Sequence, residues 1–333
     1  METLLTMFRC LLVDCSEKLG QPLVAPKDLE QSWILNEAPS LDKKMMMWIE
    51  EFDVEENGSG DGTPYPPFPD WLMPIWIRFV LNREPVVLQV LHQVLVFCYK
   101  AEYEPTYEQQ EIAIAAFLNN DKECDEWDRR HNGVSPSPFF RIARSLVSKV
   151  TGEINWREIV PSHGPGAVYP SCRPDEKSHF NTIYASIQER YCFDQFFCAL
   201  PSFWVDYIWK SNALKEENSI TAKLVFVPKD SRGPRTICVH PKEAVWVQQG
   251  QRKLLERAIE RNKMTAKAIS FNDQMKNAQA ALLASSDRRY STIDLKDASD
   301  RVSCHLVKSL FGDHTYDWIS CSRASQLKLP DGR

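Results

Sequence analysis

Apolar residues recur at helical spacing through residues 1–52, and METLLTMFRCLLVDCSEKLG predicts an amphipathic first helix. The run Met45-Met46-Met47-Trp48 predicts core filling, since methionine adapts to irregular gaps. Three glycines and four prolines within Asn57–Asp70 exclude a regular element and predict a linker or long surface loop. Trp71–Lys100 predicts buried helices. Glu108–Leu118 predicts a helix ending at Asn119-Asn120, then a charged, solvated stretch over Asp121–Arg130. A Ser/Pro loop at Val134–Pro138 precedes an amphipathic run, Phe139–Val150. Further on, Leu224–Val227 and Thr236–Val239 are short β-type runs about a turn through Ser231–Pro234, a β-hairpin pattern. Pro241 suits the first position of a long helix through about Asn262. Its Val245, Leu254, Leu255, Ala258 and Ile259 face the core, with Arg252, Lys253, Arg257 and Arg261 mostly opposite. Finally, Tyr290–Ile293 predicts a strand running into Asp294. A helix follows, with Asp297 or Ser299 as N-cap, Val302, Leu306 and Leu310 at helical spacing, and Gly312 as its stop.

At 333 residues the size predicts two domains or one large subdivided one. The 43% of hydrophobic residues marks a globular chain, and the most apolar stretch, Val86–Tyr99, is interrupted by Gln89, His92 and Gln93, so no membrane span is expected. The N-terminus lacks a basic leader and a clear cleavage site, so export is not expected. Ten scattered cysteines without Cys-x-x-Cys or finger spacing predict reduced thiols and no structural zinc site.

The net charge of −5 hides a division that changes the picture. Residues 1–133 carry 11 Lys and Arg against 24 Asp and Glu, whereas residues 134–333 carry 29 against 21. Within Lys223–Lys263 there are 10 basic and 4 acidic residues. Phosphate binding needs local positive potential and is indifferent to charge elsewhere. The acidic N-terminal region is the part least suited to a nucleic-acid backbone.

Three stretches carry candidate chemistry. Asp294, Asp297 and Asp300 surround a predicted strand end and helix start, where carboxylates suit either Mg²⁺ ligation or helix capping. Ser162–Pro170, SHGPGAVYP, makes a tight path whose N–H groups could face an anion, or a plain turn, with His163 as a structural histidine. Lys229, Arg232 and Arg235 lie at spacing three on the hairpin, where cations converging on a turn would suit a triphosphate; the alternative is a solvated surface hairpin.

The order of these stretches is more specific than any one of them. Val227–Thr236, the long helix, Phe271-Asn272-Asp273-Gln274 and Asp294-Leu295-Lys296-Asp297-Ala298-Ser299-Asp300 together resemble the replicases of the single-stranded RNA bacteriophages, the leviviruses. His163–Ala167 is similar to a loop of that family as well, so the resemblance covers about Ser162–Leu310. It implies an α+β, mainly helical chain: the fingers and the start of the palm of a right-hand RNA-directed RNA polymerase, with an incomplete palm sheet. The implied division is an acidic helical region over 1–133, fingers over 134–288 with the basic hairpin at 223–240, and the first palm strand and helix over 289–333. The implied cofactor is a pair of Mg²⁺ ions, with Mn²⁺ as an alternative, and the implied ligands from this chain are Asp294 and the Leu295 carbonyl. Asp294 and Asp300 are the implied catalytic carboxylates. Ser299 and Asp300 would meet the incoming ribose 2′-hydroxyl, and Lys229, Arg232 and Arg235 the triphosphate. RNA template and product, nucleoside triphosphates and bacterial host translation factors are the implied partners, in the cytoplasm of a bacterial host cell.

The family's Ser/Gly-rich motif B and Gly-Asp-Asp hairpin have no counterpart before Arg333. Phe311-Gly312-Asp313-His314 directly follows the predicted motif A helix and has one aspartate, so it is read as a helix stop. The chain is therefore expected to be a polymerase fragment, inactive alone. A split enzyme, a non-catalytic RNA-binding viral protein and another palm nucleotidyltransferase such as a reverse transcriptase are the alternatives. The Ser299/Asp300 pair lacks the bulk expected of a gate for DNA synthesis.

Overall fold

The computed structural model describes residues 2–55, 66–101, 104–131, 137–198, 204–205, 214–230 and 233–332. Most of the predicted loop at 57–70, most of that at 134–138, and Arg232 lie outside them. The chain is mainly helical with small sheets, an α+β composition. It forms two units, one of Met1–Ala113 with Phe226–Arg235, the other of Ile114–Val225 with Thr236–Arg333.

The first unit is a helical cluster. Helices α1 (Glu2–Leu19), α2 (Ala38–Glu55, preceded by a π-helical turn at Trp33–Glu37), α3 (Met73–Asn82) and α4 (Pro85–Val96) follow the predicted apolar spacing. Their inner faces bury Phe8, Leu12, Ile34, Met45, Trp76, Val90 and Leu91 in one core. Prolines in the first turns of α3 and α4 sit where no intrahelical donor is needed. Between these helices Arg83 adopts a left-handed conformation (φ 53°) and donates its N–H to the Phe79 carbonyl at 2.7 Å, closing α3. Arg78 then ties three elements together. It pairs bidentately with Glu84 at the start of α4 (2.6 and 3.1 Å) and donates to the Leu19 carbonyl that ends α1 (3.0 Å). Of the methionine run, Met45 and the adjoining Trp48 are buried, while Met46 and Met47 are exposed. A helix turns successive residues through 100°, so three consecutive positions cannot all face one core.

Helix α5 (Tyr107–His131) corrects the expected stop at Asn119-Asn120. Asn119 donates to Glu123 at 2.7 Å, Lys122 pairs with Glu126 at 3.8 Å, and Arg129 pairs with Asp125. Such i,i+4 pairs sustain a helix through a charged stretch that propensity alone would leave open.

In the second unit, α6 (Pro138–Thr151) confirms the amphipathic run, with Ser137 capping it by accepting from the Phe140 N–H at 3.4 Å. Strand β1 (Thr182–Tyr184) pairs in parallel with β2 (Lys215–Glu217), and the short helices α7 (Ala185–Gln188) and α8 (Phe193–Phe196) lie between them in sequence. The expected hairpin is present as β3 (Thr221–Asp230) and β4 (Gly233–Val239), longer than the two apolar runs suggest. The sheet order is β4-β3-β5, with β5 (Gln326–Lys328) parallel to the start of β3, Thr221 opposite Gln326.

Helix α9 (Lys242–Arg261) is the long predicted helix, with Pro241 as its N-cap rather than its first residue. Its most buried seam is Glu243, Ala244, Val247, Gly250 and Gln251, and the residues expected to face the core are half-buried. A Cβ on Gly250 would come within 3.2 Å of Ile159 and Pro161, so the helix approaches that loop as closely as glycine allows. Gln251 donates to the Trp318 carbonyl (2.7 Å) and accepts from Ser322 (2.9 Å), which satisfies a buried amide.

Helix α10 (Met275–Asp287) precedes a stretch that departs most from expectation. Tyr290–Ile293 does not form a strand: no described residue pairs with it, and Ile293 is 82% exposed. β-Propensity is realised only against a partner strand, and four residues without a ladder do not hold extended structure. The following helix, α11 (Cys304–Ser320), begins later than predicted. Ser303, not Asp297 or Ser299, is its N-cap and accepts from the Leu306 N–H at 3.1 Å. Gly312 (φ 79°) breaks the helical path where a stop was expected, but a second helical segment continues beyond it to Ser320. Ser303→Ala should lower unfolding stability by about 1 kcal/mol, the usual worth of such a cap. Urea titration checks this, and an unchanged midpoint would mean that the cap contributes nothing. Among the described residues no helix is long and apolar enough to cross a membrane, and all ten cysteines are free thiols.

Candidate active-site residues

The cationic residues of the hairpin are placed by strand backbone rather than by a turn. Lys229 lies in β3 and Arg235 in β4, both exposed and both in the first unit. Neither makes an ion pair among the described residues. Arg232 lies outside the described residues. At the other end of β3, in the second unit, Lys223 is half-buried, with its ammonium 5.8 Å from the centre of the Tyr169 ring.

More positive charge follows on α9, as predicted. Arg252, Lys253, Arg257 and Arg261 are exposed on one side. Arg252 is matched by Glu256 at 2.6 Å, and Lys253 donates to the Ser162 hydroxyl at 2.7 Å. Arg257 and Arg261 face Lys149 of α6 across an open cleft of about 500 Å³ that Glu153 and Glu158 also line.

Asp294 is on an exposed, irregular segment, between Ile293 and Leu295, whose side chains are also exposed. Beyond it the chain turns. Asp297 takes a left-handed conformation (φ 53°), and its carbonyl accepts from the N–H groups of Asp300 and Arg301, each at 3.1 Å. The Ser299 hydroxyl donates to the Asp300 carboxylate at 3.2 Å, so the pair assigned to the ribose is formed within this turn. Burial raises the thiol pKa of Cys238 in β4, and the Asp300 carboxylate adds to the rise.

Fitting a divalent ion to these residues fails for want of ligands. Among the described residues no three His, Cys, Asp or Glu side chains lie close enough to hold a metal. One exposed carboxylate and the Leu295 carbonyl are too few oxygens for an ion that takes six. These residues alone do not form a metal site.

The Ser162–Pro170 loop is built opposite to the anion reading. Its Gly164, Pro165 and Gly166 carbonyls all accept from the Lys177 ammonium, at 3.3, 3.4 and 2.6 Å, so the loop presents acceptors to a cation. Its His163 packs between Phe180 and Trp246, 5.9 and 5.1 Å between ring centres. Both ring nitrogens are buried, and burial lowers the pKa, which favours the uncharged ring.

Sequence reasoning missed Glu243. It is 3% exposed at the start of α9, and burial raises its carboxyl pKa, partly offset by its own N–H, Lys242 and the N–H groups of Asn181 and Thr182. The carboxyl thereby joins the helix start to β1, beside an open cleft of about 590 Å³ lined by Tyr169, Asn181, Tyr184, Lys215 and Lys242. An acidic residue in a first helical turn is common, and only its burial distinguishes this one.

The basic hairpin, the α9 cations and the Asp294–Asp300 turn all lie in the C-terminal part of the chain, and so does the similarity to known proteins. Residues 208–333 match the RNA replicase, beta-chain family. The replicase-like segment thus contains Val227–Thr236, Asn272–Gln274 and Asp294–Asp300, the motifs that carry the resemblance in the sequence. The RNA-directed RNA polymerase beta chain of Enterobacteria phage GA is 34% identical over 110 residues, which are 33% of this chain and 20% of that protein. The RNA-directed RNA polymerase subunit beta of Enterobacteria phage SP is 35% identical over 111 residues, 33% of this chain and 18% of that protein. The beta chain of Escherichia phage MS2 is 29% identical over 130 residues, 39% and 23% of the two chains. The matched part of this chain spans about a fifth of the length of those curated relatives.

Proposed function

We propose that this chain supplies the fingers and the first palm elements of a right-hand RNA-directed RNA polymerase that replicates an RNA bacteriophage genome. The observation that carries the proposal is the replicase beta-chain match over residues 208–333, which takes in the hairpin, α9 and the Asp294–Asp300 turn together. Residues 1–133 are then the helical N-terminal region, 134–288 the fingers, and 289–333 the start of the palm.

The residues divide the work by their chemistry. Lys229, Arg232 and Arg235 bind the triphosphate, as cations suited to phosphate oxygens. Ser299 and Asp300 read the ribose 2′-hydroxyl, a group that both donates and accepts hydrogen bonds. Asp294, with the Leu295 carbonyl, would offer oxygen ligands to Mg²⁺, or to Mn²⁺ in its place, too few to hold the ion alone. A divalent ion held there would supply positive charge beside phosphate oxygens. With no cluster of three metal-ligating side chains among its described residues, the chain alone is expected to bind RNA without extending it. That same observation favours a non-catalytic RNA-binding role as the second reading. Host translation factors and the cytoplasm of the bacterial host belong to the proposal as the family's partners and place of action.

The basic stretch of α9 and the hairpin make binding to single-stranded RNA a counterion-release process. With about five phosphate contacts, the logarithm of the association constant should fall with log salt at a slope near −3.5, roughly 100-fold between 50 and 200 mM. Fluorescence titration of a labelled single strand measures the slope. Affinity independent of salt would overturn the placement of RNA on these cations.

A further inference from the structure

Helix α5 ends in the acidic part of the sequence that composition sets furthest from nucleic acid, yet one of its faces holds the Asp300 turn. Asn120, Glu123, Cys124, Trp127 and Asp128 recur at intervals of three and four, which aligns them on one side of a helix. The face is mainly polar, unlike a core seam, and its contacts fall on residues 300–305. The Arg301 guanidinium donates to the Glu123 carboxylate at 2.6 Å and to the Asn120 carbonyl oxygen at 3.1 Å. The Cys124 thiol donates to the Asp300 carbonyl at 3.5 Å. Asp128 accepts from the His305 N–H at 3.2 Å, in the first turn of α11, and the Trp127 ring centre is 6.0 Å from that of His305.

The contrast with the preceding residues sets the direction of the inference. Residues 289–296, Asp294 included, are exposed and touch little, whereas the chain is fastened from Asp300 onward. Asn120 is buried, so its oxygen is preset for Arg301 rather than recruited from solvent. Hydrogen bonding to Arg301 and Asn119 also holds the Glu123 carboxyl below its ordinary pKa, so the pair is charged at neutral pH.

We infer that this face of α5 is a latch that sets the position of Asp300, with Asn120 and Glu123 as positioning residues for ribose recognition. The inference rests on the reading that Asp300 meets the 2′-hydroxyl. Glu123 and Asn120 touch no substrate. They act by fixing Arg301, and so the backbone that carries the Asp300 carboxylate.

The test uses the full chain with Mg²⁺ and two readouts: hydrogen exchange of residues 297–303, and competition between ATP and 2′-deoxyATP for binding. Glu123→Ala, and the pair Asn120→Ala/Glu123→Ala, should speed exchange in that segment about three- to fivefold, the scale of partly exposed charged contacts. The preference for ATP should fall about as much, and Glu123→Arg combined with Arg301→Glu should restore both. Glu123 is partly exposed, so its single variant keeps the test open if the double one fails to fold. Unchanged exchange, or faster exchange with the preference intact, would overturn the latch as a positioning device. Asp300→Ala separates this from the reading beneath it. If that variant leaves the preference unaltered, the ribose assignment is wrong, and the exchange readout alone decides whether α5 holds the turn.

Discussion

Asp294→Ala in a complete polymerase carrying these residues should reduce nucleotide incorporation by at least about 10²–10³-fold, the scale of deleting one preorganised electrostatic group at a reacting centre. RNA affinity should stay within about twofold, because the substitution removes a negative charge and no phosphate contact. The expectation comes from the position of Asp294 within the replicase-like segment and from its isolation. It is exposed, with little around it to stabilise, so its loss should cost little folding energy. Incorporation and filter binding on the same preparation check the two halves. Near-normal incorporation would remove Asp294 from metal ligation, and a parallel loss of RNA binding would make it a structural residue.

Trp76→Ala should destabilise the first unit by about 3–5 kcal/mol, the range for removing a buried aromatic residue. Trp76 is fully buried, and its ring lies against Trp48, Phe68 and Phe79 at 5.1–5.6 Å between ring centres. The loss combines transfer of a large apolar surface with a cavity that the three neighbouring rings cannot collapse to fill. Denaturant unfolding followed by tryptophan fluorescence measures it. A cost below about 1 kcal/mol would show that the cluster repacks, which large-to-small changes at such sites seldom allow.

The parts of the fold that were legible in the sequence are those whose causes are local. Apolar residues every third and fourth position and β-branched runs around a Gly-Pro turn each act within a few residues. Helix α5 was read as ending early because two asparagines resemble a stop, while the i,i+4 pairs that carry it on become visible only once the helix is assumed. The strand expected at 290–293 failed for the opposite reason. Its residues have the right propensity, but a strand is a property of two segments, and no described segment pairs with this one. The start of α11 lies at Ser303 rather than Asp297 because Asp297 is held in a left-handed conformation (φ 53°), whereas Ser303 is extended and accepts from the Leu306 N–H.

For the candidate site, residue types and order were readable, and placement was not. Lys229, Arg235 and Asp294 are exposed. The Arg301–Glu123 pair joins residues 178 positions apart, and no spacing rule reaches so far. The glycine loop at 164–166 shows a motif whose polarity the sequence leaves open. Glycine permits either a nest of N–H groups or a ring of carbonyls, and here the carbonyls close around Lys177.

The account depends on a nucleotide meeting the Asp294–Asp300 turn. A nucleoside triphosphate bearing an iron chelate on its γ-phosphate, bound to the protein and activated to release hydroxyl radicals, reports which backbone segments surround it. Cleavage within 294–300, suppressed by excess unmodified nucleotide, is the predicted result. No cleavage there, or cleavage unaffected by the competitor, would contradict the account.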